Sequence, residues 1–274
     1  MGTVPDPLLR TLLAAAGLLA MVHLGCRLRA EYHRNAHDEA HTPRMSPGCT
    51  SRVPGVLYVY SDPQRTAPVN ATIARNPRFE LRQFTPALAR AFVRAHCPHA
   101  LGAFDMVVPH AFKADMFRYC ALYTTGGVYA DDDLDVVVPF EALVQSHPGK
   151  LLLIEDTHFI NLWSLAPRVV RHAMWNAFMV AREPGSDVLH CALAVSTSNV
   201  LMRKGRLGPL QLTGPEVLYG CLRRGSDAAV VGWLGAGARA NRAFDWGGRP
   251  IIHHVAQPRT TEHYGTRRHW FTSQ

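Results

Sequence analysis

Lysine is nearly absent from this 274-residue chain, and no long run of like charge occurs. The formal charge of +8 is carried mostly by scattered arginines. Nucleic-acid binding needs a clustered basic stripe, so the charge reads as a solvated, arginine-rich surface. The six cysteines form no CxxC pair and share no metal-like spacing with histidine, which argues against structural zinc. No internal repeat and no low-complexity tract appears. Nor is there an apolar run as long as the ~20 residues that span a bilayer comfortably.

The longest such run, "LLAAAGLLAMVHLGC" from Leu12 to Cys26, is shorter and includes His23. It is apolar all round, has Arg10 before it and Arg27 and Arg29 after it, and lacks a clean small-x-small cleavage site. Residues 1–28 are therefore read as a signal-anchor segment whose orientation the flanking arginines leave open. Residues 29–52 are polar, without a sustained apolar period, and read as a stalk. Residues 53–274 are expected to form one folded domain, with hydrophobic content of 47% over the whole chain. Placement is membrane-bound and single-pass, facing the lumen of the ER or Golgi in a eukaryote. Cys49 and Cys97 lie in loops and are a candidate disulfide; Cys120 and Cys191 lie in apolar runs and read as core. Asn70-Ala-Thr is a glycosylation sequon, relevant if the domain faces a lumen.

Strand and helix patterns alternate through the domain. "VLYVY" (56–60), the alternating "NPRFELRQF", "VYA", "KLLLIED", "AAVVGWL" and "PIIHHV" read as strands. "TPALARAFVRAHC" opens with a threonine cap and proline at the first helical position. "HAFKADMFRYCALYTT" is helical with Gly126 at its C-cap, Phe117, Cys120, Ala121 and Thr124 forming one face. "SDVLHCALAVSTSNVLMR" and "TGPEVLYGCLRR" supply further helices. This alternation predicts an α/β fold.

Four aspartates then fall within five residues, directly after the strand "GVYA". If the chain stays extended, Asp131 and Asp133 point the same way and converge, with Asp135 able to join. A carboxylate pair beyond a strand's carboxyl end suits a hard divalent cation, Mn²⁺ or Mg²⁺. Upstream, Asp115 and Arg118 are three apart on one helical face and can pair. Lys113 and Arg118 place positive charge near the carboxylates, a combination suited to a diphosphate leaving group. Gly126 and Gly127 permit the tight helix-to-strand turn. Glu155 and Asp156 close the strand "KLLLIED" and are acceptor-side candidates. Their alternative is a solvated strand-end loop. Asn176 reads equally as an acceptor contact or a helix cap.

"KADMFRYCALYTTGGVYADDD" resembles the DxD signature region of the family-32 glycosyltransferases, which include initiating α-mannosyltransferases and inositol phosphorylceramide mannosyltransferases. "NPRFELRQF", "FDMVVPHAFKAD", "WNAFMVAREPGSDVL" and "QLTGPEVLYGCL" are similar to other family segments in the same order, over roughly residues 53–220. The resemblance implies a GT-A fold: one Rossmann-like α/β domain with a mixed central sheet flanked by helices. It implies a nucleotide-sugar donor, GDP-mannose or a UDP-hexose, a glycan or glycolipid acceptor, and retention of configuration. Asp131 and Asp133 are expected to hold metal and donor diphosphate, Asp115 and Arg118 the sugar hydroxyls, and Tyr129 the donor pocket. The strand carrying Val56 and Tyr58 is expected to border the base. A late histidine ligand is expected from His253 or His254, with His253 taken as the ligand and His263 and His269 as further candidates. The middle residue of the motif, Asp132, is often apolar in the family. Two other readings stay open. "DLDVV" fits the haloacid-dehalogenase pattern, with Asp133 and Asp135 as phosphatase residues. A non-catalytic, membrane-anchored glycan-binding relative is the other.

Overall fold

In the parallel core of the sheet, β1 (Val56–Tyr60) lies between β2 (Glu80–Phe84) and β3 (Gly127–Ala130). The computed structural model describes residues 53–61, 67–160, 169–204, 208–224, 227–235, 242–245, 247–255 and 270–271. All of these fall in one compact unit, Thr50–Gln274. The candidate anchor and stalk, residues 1–52, lie outside them, as do Cys49, His263 and His269. Among the described residues no helix is long and apolar enough to cross a membrane.

The helices are α1 (Ala67–Arg75), α2 (Pro86–His96), α3 (Leu101–Met106), α4 (His110–Thr125), α5 (Phe140–Ser146), α6 (Asp187–Leu201), α7 (Pro209–Leu212) and α8 (Pro215–Leu222). The remaining strands are β4 (Leu134–Val136), β5 (Leu151–Ile160), β6 (Val169–Ala181), β7 (Ala228–Leu234), β8 (Arg242–Asp245) and β9 (Pro250–His254). Sheet order is β2-β1-β3-β6-β5-β7-β8-β9-β4. Antiparallel β6 follows the parallel trio, so the sheet is mixed. The fold is α/β with a mixed central sheet and helices, as expected.

Strand parity builds two cores, one on each face of the sheet. Tyr58, Tyr60 and Tyr129 join one apolar cluster with α2, α4 and α6; Leu57, Val59 and Val128 join the other with α5 and β9. Sheets covered on both faces need nearly continuous apolar strands, which accounts for "VLYVY". The Thr85 side chain caps α2 by accepting from the Leu88 N–H.

Several expectations are corrected. α4 is not amphipathic with a single buried face: Phe112 and every residue from Ala114 to Leu122 are buried, because the helix packs between the sheet and neighbouring helices. Asn176 is neither in a helix nor its cap; it lies within the long strand β6. β5 continues to Ile160, so Glu155 and Asp156 sit within a strand, not a strand-end loop. Cys97 bonds Cys120, with their Cα atoms 6.2 Å apart, and not Cys49. The bond joins the end of α2 to the middle of α4 across a packed helix pair. Cys191 bonds Cys221, joining α6 to α8.

The double glycine has a steric explanation. Gly126 has φ +67° and Gly127 φ +105°, and a Cβ on Gly127 would lie 2.8 Å from the Val56 carbonyl oxygen. Helix α4 can therefore turn directly into β3 beside β1 only without side chains at these positions. Gly127→Ala is expected to destabilise the domain by about 2 kcal/mol or more through backbone conformation and this clash. Urea unfolding measures it; an unchanged midpoint would contradict the turn described.

Candidate active site

α4 delivers Asp115 and Arg118, three residues apart, to the carboxyl edge of β3. Both side chains are buried. The Arg118 guanidinium lies between two carboxylates, 3.1 Å from Asp131 Oδ1 and 3.5 Å from Asp115 Oδ1. It donates to the Ala114 carbonyl (3.1 Å) and the Asn176 carbonyl (2.6 Å), and stacks over the Tyr129 ring at 4.4 Å. The Tyr129 hydroxyl donates to Asp131 Oδ1 at 2.7 Å. Asp115 accepts from Asn176 Nδ2 (2.8 Å) and from Thr213 Oγ1 (2.7 Å). Asn176 Nδ2 also reaches the Tyr119 hydroxyl at 3.0 Å.

Burial raises the pKa of Asp115, opposed by Arg118, Thr213 and Asn176. Burial also raises that of Asp131; Arg118 opposes the rise and Asp133 adds to it. Burial works against the Arg118 charge, but Asp131, Tyr129 and Asp115 outweigh it and raise its pKa. Two carboxylates thus share one fixed cation, which holds the cluster together without desolvated like charges facing each other.

The aspartate run is a turn, not an extension of the strand. β3 ends at Ala130, and the Leu134 N–H closes on the Asp131 carbonyl at 3.2 Å. Asp131 and Asp133 therefore face different partners. Asp133 Oδ2 meets His254 Nε2 at 2.8 Å, both side chains partly exposed. Asp135 leaves the cluster to pair with Arg75 of α1. β9 aligns Leu134 with His254 and Asp135 with His253, so alternation turns the two histidines to opposite faces. It is His254, not His253, that meets Asp133. The Trp175 ring lies 6.4 Å from the His254 ring, centroid to centroid.

Other expected residues lie elsewhere. Tyr58 is enclosed by Phe84, Phe92 and Phe117, its hydroxyl bonded to Thr125 Oγ1 at 2.9 Å, so it is a core residue. Val56 lies at the amino end of β1, away from the strand's carboxyl edge. The Lys113 ammonium binds the Phe104 carbonyl at 2.7 Å and lies over the Phe104 ring; burial lowers its pKa, with Asp105 opposing. It is engaged by α3 and does not join the carboxylates. Glu155 and Asp156 align with Met174 and Ala173 of β6.

Four contributors were not singled out in the sequence: Thr213, Tyr119, Tyr60 and Ser61. Thr213 opens the T-G-P segment, and that motif was its one visible signal. Tyr60 ends β1 and Ser61 follows it, and among the described residues both hydroxyls are buried without a hydrogen-bond partner. Unpartnered buried hydroxyls at a parallel strand's carboxyl end fit a ligand edge.

The donor set fits a divalent cation. Asp133 and His254 offer a carboxylate oxygen and an imidazole nitrogen at one part-buried point, and Asp133 is among the charges that raise the pKa of Asp131. Among the described residues no three His, Cys, Asp or Glu side chains converge as a complete cage. Mg²⁺ and its like commonly take one or two carboxylates and complete their shell with water and substrate phosphates.

The chain is similar to DXD-type glycosyltransferases. Residues 65–149 match the family described as the glycosyltransferase sugar-binding region containing the DXD motif. A Saccharomyces cerevisiae protein named "Putative glycosyltransferase HOC1" is 24% identical over 181 residues, 63% of this chain. The match spans 42% of that relative's length. The solved structure of PaToxG Glycosyltransferase is 14% identical, covering 63% of this chain and 69% of its own, with a TM-score of 0.46. The haloacid-dehalogenase reading gains nothing from the geometry, since Asp133 and Asp135 diverge to His254 and Arg75.

Arg118→Met leaves the buried Asp115 and the partly exposed Asp131 without their cation. It is expected to cost about 3–5 kcal/mol near neutral pH. Both carboxylates already have raised pKa values in the folded state, so their ionisation removes stability as pH rises. The variant's deficit should therefore shrink as pH falls through the carboxylate range, and Asp131→Asn added to it should recover part of the loss. Urea midpoints across pH check this; a pH-independent deficit would contradict the Arg118-centred cluster.

Proposed function

We propose that this domain is a metal-dependent, retaining hexosyltransferase. It moves mannose, glucose or galactose from a nucleotide-diphosphate sugar to a hydroxyl of a glycan, glycolipid or protein. The observation that carries the reading is the pairing of two half-sites beyond β3. One is the Asp115–Arg118–Asp131 set; the other is the Asp133–His254 pair.

Asp115 presents carboxylate oxygens whose orientation Thr213 and Asn176 fix, suited to accepting donor-sugar hydroxyls. Arg118 offsets negative charge where the diphosphate collects, and Tyr129 keeps both Arg118 and Asp131 in place. Asp133 and His254, with Asp131 behind them, would hold Mn²⁺ or Mg²⁺. The cation, when bound, stabilises charge on the departing diphosphate. The nucleotide is placed at the carboxyl end of β1, beside Tyr60 and Ser61. Glu155 and Asp156, on the strand beside β6, are the acidic residues we assign to the acceptor side. The mannosyltransferase resemblance of the sequence favours GDP-mannose among donors. Two disulfides and the apolar Leu12–Cys26 run support an anchored domain in an oxidising lumen.

The test is donor hydrolysis and transfer by the full chain across a panel of GDP- and UDP-hexoses, with and without Mn²⁺. One donor should turn over only with metal. Asp133→Ala should lower the rate at least ~100-fold, the scale of losing a transition-state charge stabiliser, while leaving the unfolding midpoint nearly unchanged. His254→Ala should weaken Mn²⁺ affinity, and His253→Ala should not. Metal-independent turnover, or equal effects from the two histidines, would refute this assignment.

A further inference from the structure

We propose that Asn70 is an N-glycosylated residue, modified before the catalytic turn is built. The proposal rests on the lumen-facing reading and adds a modification site to it.

Asn70-Ala71-Thr72 lies on α1. Ala67, Asn70 and Ala74 face solvent, while Val69 and Thr72 face the protein. Asn70 therefore stands on the exposed stripe of the helix. Two internal disulfides, Cys97–Cys120 and Cys191–Cys221, independently fit the compartment in which such transfer occurs.

Thr72 supplies the timing. The sequon's hydroxyl must be accessible when the asparagine reacts. In the folded chain Thr72 is buried; its Oγ1 donates to the Leu134 carbonyl at 3.3 Å and accepts from the Val136 N–H at 2.9 Å. Those groups belong to β4, the strand that follows the aspartate turn. One hydroxyl thus serves twice, first in sequon recognition on the unfolded chain and then as the clasp between α1 and β4. In the transfer, Asn70 Nδ2 attacks the anomeric carbon of a lipid-linked oligosaccharide diphosphate. The N–C bond forms as the C–O bond to diphosphate breaks. Nδ2 loses one proton to solvent, and the lipid diphosphate departs.

The test is expression of the full chain in a eukaryotic secretory host, with Asn70→Gln and Thr72→Ser beside it. Amidase deglycosylation and peptide mass spectrometry should find Asn70 converted to aspartate in most wild-type and Thr72→Ser chains. Asn70→Gln should lose the glycan and keep its unfolding midpoint. Chains folded first and then offered to microsomes should stay unmodified. Thiol alkylation before and after reduction, run on the same samples, reports the disulfides. Bonded cysteines with an unmodified Asn70 would overturn the glycan proposal and leave the lumenal reading standing. Free thiols throughout with no glycan would overturn both. Efficient modification of the folded chain would refute the role given to Thr72.

Discussion

A single buried guanidinium organises this domain. Arg118 enters a region closed to solvent, and an arginine cannot shed its charge there. The fold must therefore bring carboxylates and carbonyls to it. Asp115 comes from the preceding turn of the same helix, Asp131 from the end of β3, and the Asn176 carbonyl from β6. A buried ion pair is expensive to desolvate and is retained when its partners satisfy one another. Here the arrangement fixes where α4, β3 and β6 meet, which is also where the proposed donor site lies.

The second half of the site is assembled from chain distant in sequence. Thr72 and Arg75 of α1 hold β4, and the Asn76 amide oxygen accepts from the Phe140 N–H at the start of α5. On the other side β9 pairs with β4 and brings His254 to Asp133. The Asp131 N–H donates to the Ala177 carbonyl of β6. The aspartate turn is thus clasped by α1, β6 and β9, three elements whose mutual placement only the finished sheet supplies.

That difference separates what the sequence disclosed from what it concealed. The bounds of β1, α4, β7 and β9 follow local signals: β-branched runs, a glycine C-cap and turn residues. The double glycine announced the helix-to-strand turn because its backbone demand is local. β6 escaped because "VVRHAMWNAFMVA" mixes both faces of a doubly covered sheet and offers no clean alternation. The choice of His254 over His253 depends on strand register across more than a hundred residues. The cysteine partners depend on helix packing, which moved Cys120 from an inert core residue to a bonded one. Lys113 looked like part of the charge cluster because it is close in sequence, yet five residues along a helix place it away from Arg118, toward α3.

The two half-sites differ in freedom, and that difference bears on how they can work together. Asp115 is held at both oxygens, and Asp131 is held by Arg118 and Tyr129. Asp133 and His254, partly exposed like Asp131, pair with each other. In the proposed site a cation held by Asp133 and His254 would replace their mutual contact and leave the Asp115–Arg118 contacts in place. The disulfides reinforce the Asp115 half: one anchors Cys120 on the helix that carries Asp115 and Arg118, the other anchors Cys221 on the helix that follows Thr213 and Gly214. In the proposed reaction the Asp115 set would read the sugar, while the Asp133–His254 pair would accommodate the charge that comes and goes with donor and product.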